Sequence, residues 1–366
     1  MAVRGGWPEG SPWVRGAVDG VPRHLFAPDT LWRWDGDGYV SVSRATEPER
    51  WADEVYGGPS DPAVTQVTDG RATSSLSCQS VVVDMLDSLM PAPGHRVLEL
   101  GTGTGWNAAL LARRAGPGRV ISVEADPGLA ATARDRLAAA GADVTVVTGD
   151  GQRGHAPGGP YDRVESTYAV ETVPWEWVAQ TRPGGRIVTP WGRMGHVALT
   201  VADDGRSATG WFQGLALFMP ARDVPARLGW QEVRGHASAD DEDSHTLDLA
   251  QLADPHLLFA LRVVLPDVEV IVGDRDGPVA WVHDGRTSWA TLTASGDGDG
   301  PGAAYQGGPR RLLKEIETAV ARWEHHDRPD LYDFGMTRTP DSQYVWSHDR
   351  DTGPRWAVTG LAQSAS

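Results

Sequence analysis

The stretch Arg96-Val97-Leu98-Glu99-Leu100-Gly101-Thr102-Gly103-Thr104-Gly105-Trp106-Asn107-Ala108-Ala109-Leu110-Leu111 constrains this chain more than any other. The residues up to Leu100 read as a buried strand, the alternating glycines as a tight turn, and Trp106 onward as a helix with an apolar face. Gly101, Gly103 and Gly105 carry no Cβ, so the backbone can take positive φ and lie close against a ligand. That combination is a nucleotide-binding turn.

Two details turn the reading away from a dinucleotide. The glycine spacing is G-x-G-x-G rather than G-x-G-x-x-G, and Glu99 ends the strand two positions before the first glycine. A helix N-terminus favours anions, but a fixed carboxylate beside it opposes a pyrophosphate. A cationic ligand meets no such obstacle, and the sulfonium and amino groups of S-adenosylmethionine suit an acid at the lip of the site. Arg119-Val120-Ile121-Ser122-Val123-Glu124 reads as a second strand ending in an acid, at about the spacing at which such folds hold a ribose. After a third strand, Val144 to Val147, the step Gly149-Asp150-Gly151 puts Asp150 where a loop at the same edge meets a purine ring.

The alternation continues on both sides of these loops. Asp126 caps a helix from Pro127 to Ala140, Tyr161 to Thr167 is a fourth strand, Trp175 to Thr181 a short helix, and Arg182 to Pro190 a turn with a fifth strand. His196 to Val201 and Ala208 to Phe212 form a hairpin around Asp204-Gly205. The order predicts an α/β fold, a doubly wound Rossmann-like parallel sheet with ligands at the carboxyl ends of its strands.

At 366 residues and 40% apolar content the chain can bury a large core, and its length suggests two domains or one with a long extension. The expected divisions are an N-terminal arm and cover segment at 1–70, a catalytic domain at 71–215 and a C-terminal domain at 216–366. The formal net charge of −16 repels phosphates, which argues against nucleic acid or an anionic membrane as partner. No stretch reaches the length of a membrane span, and Met1 to Gly20 lacks a charged region followed by an apolar one, so the cytoplasm is the expected compartment. The lone Cys78 excludes an internal disulfide and a cysteine-rich zinc site. No spaced set of His, Cys and acids suggests a metal; His325-His326 and His283-Asp284 read as surface residues.

Ahead of the glycine turn, 1–20 reads as a loosely held arm, Val21-Pro22-Arg23-His24-Leu25-Phe26-Ala27-Pro28 as a short packed segment, and Trp32 to Gly70 as a loop region with short elements that could cover a site. Thr73-Ser74-Ser75-Leu76-Ser77-Cys78-Gln79-Ser80 then precedes an apolar helical run, Val81 to Leu89. Hydroxyls in that position are a helix N-cap signal. They also make a cradle for a carboxylate, which would give Thr73, Ser75, Ser77 and Gln79 a substrate-binding role. Cys78 reads either as a nucleophile without a placed base or as a small packed hydrophobe.

Taken together, Val21-Pro22-Arg23-His24-Leu25-Phe26, Ser77 before an apolar helix, the Leu98-to-Gly105 turn, Glu124, Gly149-Asp150-Gly151, Tyr161-Asp162 and Gln180-Thr181-Arg182-Pro183-Gly184-Gly185-Arg186 resemble the protein-L-isoaspartate O-methyltransferase family over roughly residues 20–215. The resemblance implies a class I S-adenosylmethionine-dependent methyltransferase fold. It implies that Glu99, Gly101, Thr102, Gly103, Gly105, Asn107, Glu124, Ala125, Asp150, Gly151 and Thr167 line the cofactor site, and that Ser77 is the active-site serine that touches the substrate carboxylate. One departure stands out: the family's serine is usually followed by Ala-Pro-His, here by Cys78-Gln79-Ser80.

The region from Met219 onward is beyond the length of the repair members. Asp254-Pro255 opens an apolar helix to Leu265. Val268 to Val272, Val279 to Val282 and Trp289 to Leu292 read as strands, Leu312 to Trp323 as an amphipathic helix, and Phe334 to Thr339 with Gln343 to Trp346 as a hairpin around Pro340-Asp341. Asp240 to Asp243 and Gly296 to Gly302 read as solvated loops. The steps at 284–290 and 334–341 resemble extended family members associated with graspetides, lanthipeptides and lasso peptides. That resemblance implies methylation of an unmodified aspartate in a constrained precursor peptide, with collapse of the ester to aspartimide or isoaspartate, and a C-terminal peptide-recognition domain; the other reading of that domain is a buttress or dimer interface. Three further readings are an isoaspartate repair enzyme with an accessory domain, a peptide-binding module that has lost activity, and a dinucleotide oxidoreductase, which the glycine spacing opposes.

Overall fold

The computed structural model describes residues 6–358 apart from 193, 223, 225, 226, 275, 276 and 296–299. Helix α1 (Trp13–Gly20) buries Val14 and Ala17, so this part of the expected loose arm is ordered and packed. Strands β1 (Thr30–Trp34) and β2 (Tyr39–Ser43), helix α2 (Pro48–Tyr56), and strands β3 (Ala63–Thr68) and β4 (Arg71–Leu76) follow. The strands form an antiparallel sheet ordered β2-β1-β3-β4 where a loop region with short elements was expected. Leu31, Val42, Ala63 and Leu76 supply its buried apolar residues.

The hydroxyl run does not cap a helix. Thr73 to Leu76 lie in β4, paired with β3 through Val64↔Ser75 and Gln66↔Ser74. Helix α3 (Gln79–Leu89) starts later, with Cys78 at its N-cap and no side-chain cap hydrogen bond. The hairpin turn explains the difference: Asp69 and Gly70 both have positive φ, 51° and 72°, the conformation that returns a strand on itself in two residues.

The doubly wound part follows as expected. Strand β5 (Val97–Leu100), helix α4 (Trp106–Ala115), strand β6 (Val120–Glu124), helix α5 (Pro127–Ala139), strand β7 (Val144–Thr148), strand β8 (Tyr161–Ser166), helix α6 (Trp175–Ala179) and strand β9 (Thr181–Trp191) precede the hairpin β10 (Gly195–Val201) and β11 (Ala208–Leu215). Five strands pair in parallel in the order β7-β6-β5-β8-β9, and β10 and β11 add antiparallel to β9. β5 is buried at every position, which is why its sequence runs nearly unbroken in apolar residues. This is the class I methyltransferase sheet.

The chain divides into two compact units, Met1–Arg222 with Gly335–Tyr344 and Ala357–Ser366, and Asp223–Phe334 with Val345–Trp356. The first seventy residues fall in one unit with the doubly wound sheet, and Gly335–Tyr344 return to it from far down the chain. In the second unit, helix α7 (Trp230–Arg234), strand β12 (Asp241–His245), helices α8 (Leu249–Leu252) and α9 (Pro255–Val264), strands β13 (Glu269–Asp274), β14 (Pro278–His283), β15 (Trp289–Thr293) and β16 (Gly302–Gly307), and helix α10 (Leu312–His325) come in turn. Its antiparallel sheet runs β12-β16-β15-β14-β13. The acidic run expected to be a solvated loop is the edge strand β12, held by its ladder to β16. Of the second expected loop, 296–299 lie outside the described residues and Gly302 opens β16.

Strands β17 (Phe334–Arg338), β18 (Gln343–Ser347) and β19 (Arg355–Ala357) end the chain. The Gly335-to-Arg338 part of β17 pairs antiparallel with β11, extending the catalytic sheet. Arg338 donates to the carbonyl of Val173, and the Gln343 side chain bonds Val173 N and Glu171 O, so this step clamps the loop at 171–173. The step at 284–290 is likewise a turn: Asp284 Oδ1 accepts from the amides of Arg286, Thr287 and Ser288 between β14 and β15. Burial pushes the Asp284 pKa up, and those hydrogen bonds outweigh it, leaving the group below the ordinary carboxylate range. No helix among the described residues is long and apolar enough to cross a membrane.

Candidate active site

Gly101, Gly103 and Gly105 take φ of 97°, 53° and 93°, so the turn needs residues without a Cβ. At Gly101 a Cβ would also stand 2.5 Å from Thr167 Oγ1 and 3.0 Å from the Tyr168 ring. The turn is held from three sides. Gly101 N donates to Val123 O at 2.8 Å, Gly103 N to Glu124 Oε2 at 2.9 Å, and Thr167 Oγ1 to Gly101 O at 2.5 Å. Glu124 Oε1 accepts from Asp126 N as well, so this carboxylate joins the glycine turn to the loop after β6. Ala125, between them, is exposed.

Glu99 does not stand at the lip of the site. It is fully buried beneath the turn, where Ser122 Oγ donates to Oε2 and Asn107 Nδ2 to Oε1 at 2.9 Å. Thr102 Oγ1 lies 2.5 Å from Ser122 Oγ, and the same Asn107 Nδ2 donates to Glu165 Oε2 at 2.8 Å. Desolvation pushes Glu99 up to about 8 and Glu165 up to about 7. Register is the cause: Glu99 pairs with Ser122 on β6 and Glu165 on β8, whose side chains share its face of the sheet, and Asn107 of α4 lies against that face. Glu99 thus acts on the turn through Asn107 and Thr102.

Asp150 caps a short turn at Gly151–Arg153, accepting from Gln152 N at 2.8 Å. Gly151 O accepts from Trp177 Nε1 at 2.9 Å, and a Cβ at Gly151 would meet the Tyr168 hydroxyl at 2.5 Å. Tyr168 therefore lies against both Gly101 and Gly151, edge-on to Trp177 at 6.2 Å. The sequence reading stopped one residue short of it, at Thr167. Its signal was available: the positions just past a parallel strand are where such folds place ligand-facing groups.

On the other side of the turn stands the β3–β4 hairpin. A Cβ on Gly103 would lie 3.9 Å from Ser74 Oγ and 4.0 Å from Ser75 O. Thr73 Oγ1 donates to Gln66 Oε1, and Gln66 Nε2 to Asp126 Oδ2. Arg222, a residue not singled out from the sequence, donates to both Asp126 Oδ2 and Gln66 Oε1 at 3.1 Å, latching the hairpin to the loop after β6. Ser77 follows β4 in a half-buried position, and its hydroxyl has no hydrogen-bond partner among the described residues. Its carbonyl accepts from Arg23 Nη2 at 2.7 Å.

Arg23 gives the Val21-to-Phe26 segment its purpose. The guanidinium also donates to the carbonyls of Leu76, Val55 and Asp61, and lies over the Trp106 ring at 5.5 Å. Burial pulls its pKa down, yet a guanidinium stays charged at neutral pH. One buried cation thus ties the Ser77 loop, helix α2 and the start of α4 together. Cys78 is a free thiol, partly buried, with Ser80 Oγ 3.7 Å from its sulfur. Among the described residues no cluster of three or more His, Cys, Asp and Glu could hold a metal ion.

These residues suit S-adenosylmethionine. Asn107 Oδ1 is a buried acceptor without a partner, Glu124 keeps lone pairs beyond its two amide bonds, and the turn offers a surface free of Cβ atoms. Comparison with known proteins agrees. The family Protein-L-isoaspartate(D-aspartate) O-methyltransferase matches residues 40–216. The chain is similar to the Protein-L-isoaspartate O-methyltransferase of Methanopyrus kandleri, at 37% identity over 47% of this chain and 66% of that one. It is similar also to that of Methanoculleus marisnigri, at 34% identity over 61% of this chain and 87% of that one. A solved protein-L-isoaspartate O-methyltransferase overlays 95% of this chain and 97% of its own at 19% identity and a TM-score of 0.48. The chain belongs to the protein-L-isoaspartate O-methyltransferase family, S-adenosylmethionine-dependent carboxyl methyltransferases.

Proposed function

We propose that this chain methylates the free carboxylate of isoaspartyl residues in proteins and peptides. The observation that carries the reading is the apposition of the glycine turn and the hydroxyl-bearing hairpin at Gly103 and Ser74–Ser75, with the unpartnered Ser77 hydroxyl next in the chain. When bound, S-adenosylmethionine supplies an electrophilic methyl group. The residues named above as suited to it, Asn107, Glu124, Asp150 and the three glycines, would hold it.

The chain's own work is modest acid–base chemistry and strict positioning. A side-chain carboxyl of this kind has a pKa of about 4, so at neutral pH the substrate is already the nucleophile. Ser77, with Ser75 and Thr73 beside it, would orient the carboxylate by hydrogen bonds. The positive charge of Arg23 behind the Ser77 carbonyl favours an anion at that point, and the Arg222 latch ties the hairpin to the loop after β6.

A second reading rests on two features: Cys78-Gln79-Ser80 stand where Ala-Pro-His is usual, and a folded unit lies beyond the family match, which ends at residue 216. On that reading the substrate is an ordinary aspartate in a constrained ribosomal precursor peptide, the ester closes to aspartimide, and the C-terminal unit recognises the peptide. Mass spectrometry with S-adenosylmethionine, an isoaspartyl peptide and its aspartyl twin separates the two. Methylation of the isoaspartyl peptide alone supports the first. A gain of one methyl followed by loss of methanol on the aspartyl peptide alone supports the second, and no transfer to either would leave a binding module.

A further inference from the structure

The second unit contains a cavity that the chemistry above does not use. It measures about 230 Å³ and opens between α9 and α10, walled by Ala260 and Val264, Ala319 and Trp323, with Phe334 and Trp356 completing it. Small residues, Ala260 and Ala319, line it from the two helices. An apolar cavity of about 150 Å³ is enough to hold benzene, whereas drug-sized ligands take roughly 300 Å³ or more. The size therefore fits one ring.

Two polar features narrow the occupant. Ser347 lines the cavity, is fully buried, and its Oγ has no hydrogen-bond partner. A buried hydroxyl left unpaired is costly, so a ring with a polar tip matches the site better than a plain hydrocarbon. At the mouth, the Arg322 guanidinium has neither a carboxylate nor a hydrogen-bond partner among the described residues. Arg355 stands beside it, held by the carbonyls of Arg350 and Asp351 at 2.6 and 3.0 Å. This cationic rim belongs to a chain of net charge −16, so it is a local exception to the field of the whole molecule.

We propose that this cavity is an anchor site for an acidic peptide: a tyrosine ring enters between α9 and α10, its phenol pairs with Ser347, and a neighbouring carboxylate meets Arg322. The choice of a peptide as partner rests on the peptide-carboxyl reading above; the pocket chemistry does not. Binding is measured without a methyl donor, so the two can fail separately.

The test uses the full chain and a fluorescein-labelled peptide with one tyrosine between two aspartates, followed by anisotropy. Replacing the tyrosine by alanine, or both aspartates by asparagine, should weaken binding at least tenfold. Arg322→Glu, an exposed change, should do the same. Ser347→Ala should weaken binding several-fold while leaving the melting temperature equal or higher, because it removes an unpaired buried hydroxyl; a merely structural serine would lower it. Filling the cavity with Ala319→Leu should abolish binding in a chain that still unfolds cooperatively. Absence of binding, or equal affinity for the alanine peptide or by Arg322→Glu, overturns the proposal even if the chain methylates peptides.

Discussion

Glu99→Gln should make the folded chain less sensitive to alkaline pH, by an amount that follows from where the carboxyl sits. Glu99 is fully buried and its pKa is raised from 4.5 to about 8. Between those values the folded state keeps a proton that the unfolded chain has lost. Its stabilising contribution is therefore fully present below pH 4.5 and disappears as pH rises through about 8. One pKa unit is worth about 1.4 kcal/mol, so a gap of roughly 3.5 units amounts to about 5 kcal/mol at the upper limit. Glutamine copies the protonated form: its oxygen can accept from Asn107, and its amide can donate to Ser122, which then donates to Thr102. Urea unfolding of both chains from pH 5 to 9 gives the difference directly. Near parity is expected at pH 5, with the variant gaining about 1.4 kcal/mol per pH unit up to pH 8. Glu165 shares Asn107 with Glu99 and helps to raise its pKa, so the difference between the profiles belongs to the pair. Parallel profiles would refute the idea that this carboxyl is held protonated in the fold.

Three other perturbations probe the site from different sides. Arg23→Met strands the carbonyls of Leu76 and Val55 in a buried setting and should cost about 2–4 kcal/mol in urea unfolding; a loss under ~0.5 kcal/mol would mean those bonds contribute nothing net. Ser77→Ala should leave S-adenosylmethionine affinity by calorimetry intact and remove most turnover, and unchanged turnover would take Ser77 out of the chemistry. Glu124→Ala frees the amides of Gly103 and Asp126 and should weaken cofactor binding at least tenfold, an assignment that an unaltered dissociation constant would sink.

The doubly wound half was legible because parallel strands buried on both faces leave unbroken apolar runs, and because Asp126-Pro127 and Asp254-Pro255 spell out their helix starts. The N-terminal sheet was not. In β1 only Leu31 is fully inward, so no alternation rises above the surrounding charged and glycine residues. Yet Asp69-Gly70 was a readable hairpin signal, and it would have moved the hydroxyl run from a helix cap to a strand. β12 is harder, since four of its five residues are exposed and its pairing with β16 is a matter of backbone alone. Arg23 is harder still: its partners are carbonyls 32 to 54 residues away, which no local pattern encodes.

Arg23 also separates the charge near Ser77 from the identity of the residues that follow it. The groups that favour an anion near Ser77 are not the side chains at 78–80. They are the Arg23 guanidinium, bonded to the Ser77 carbonyl at 2.7 Å, and the dipole of α3, whose first turn carries no acid. Both are fixed by backbone and by a residue from another part of the chain. On the proposed reading, Cys78-Gln79-Ser80 in place of Ala-Pro-His changes the shape and hydrogen-bonding beside Ser77 without removing the Arg23 charge behind it. On that reading the exchange alters which peptide is accepted, and leaves methyl transfer to a carboxylate as the reaction.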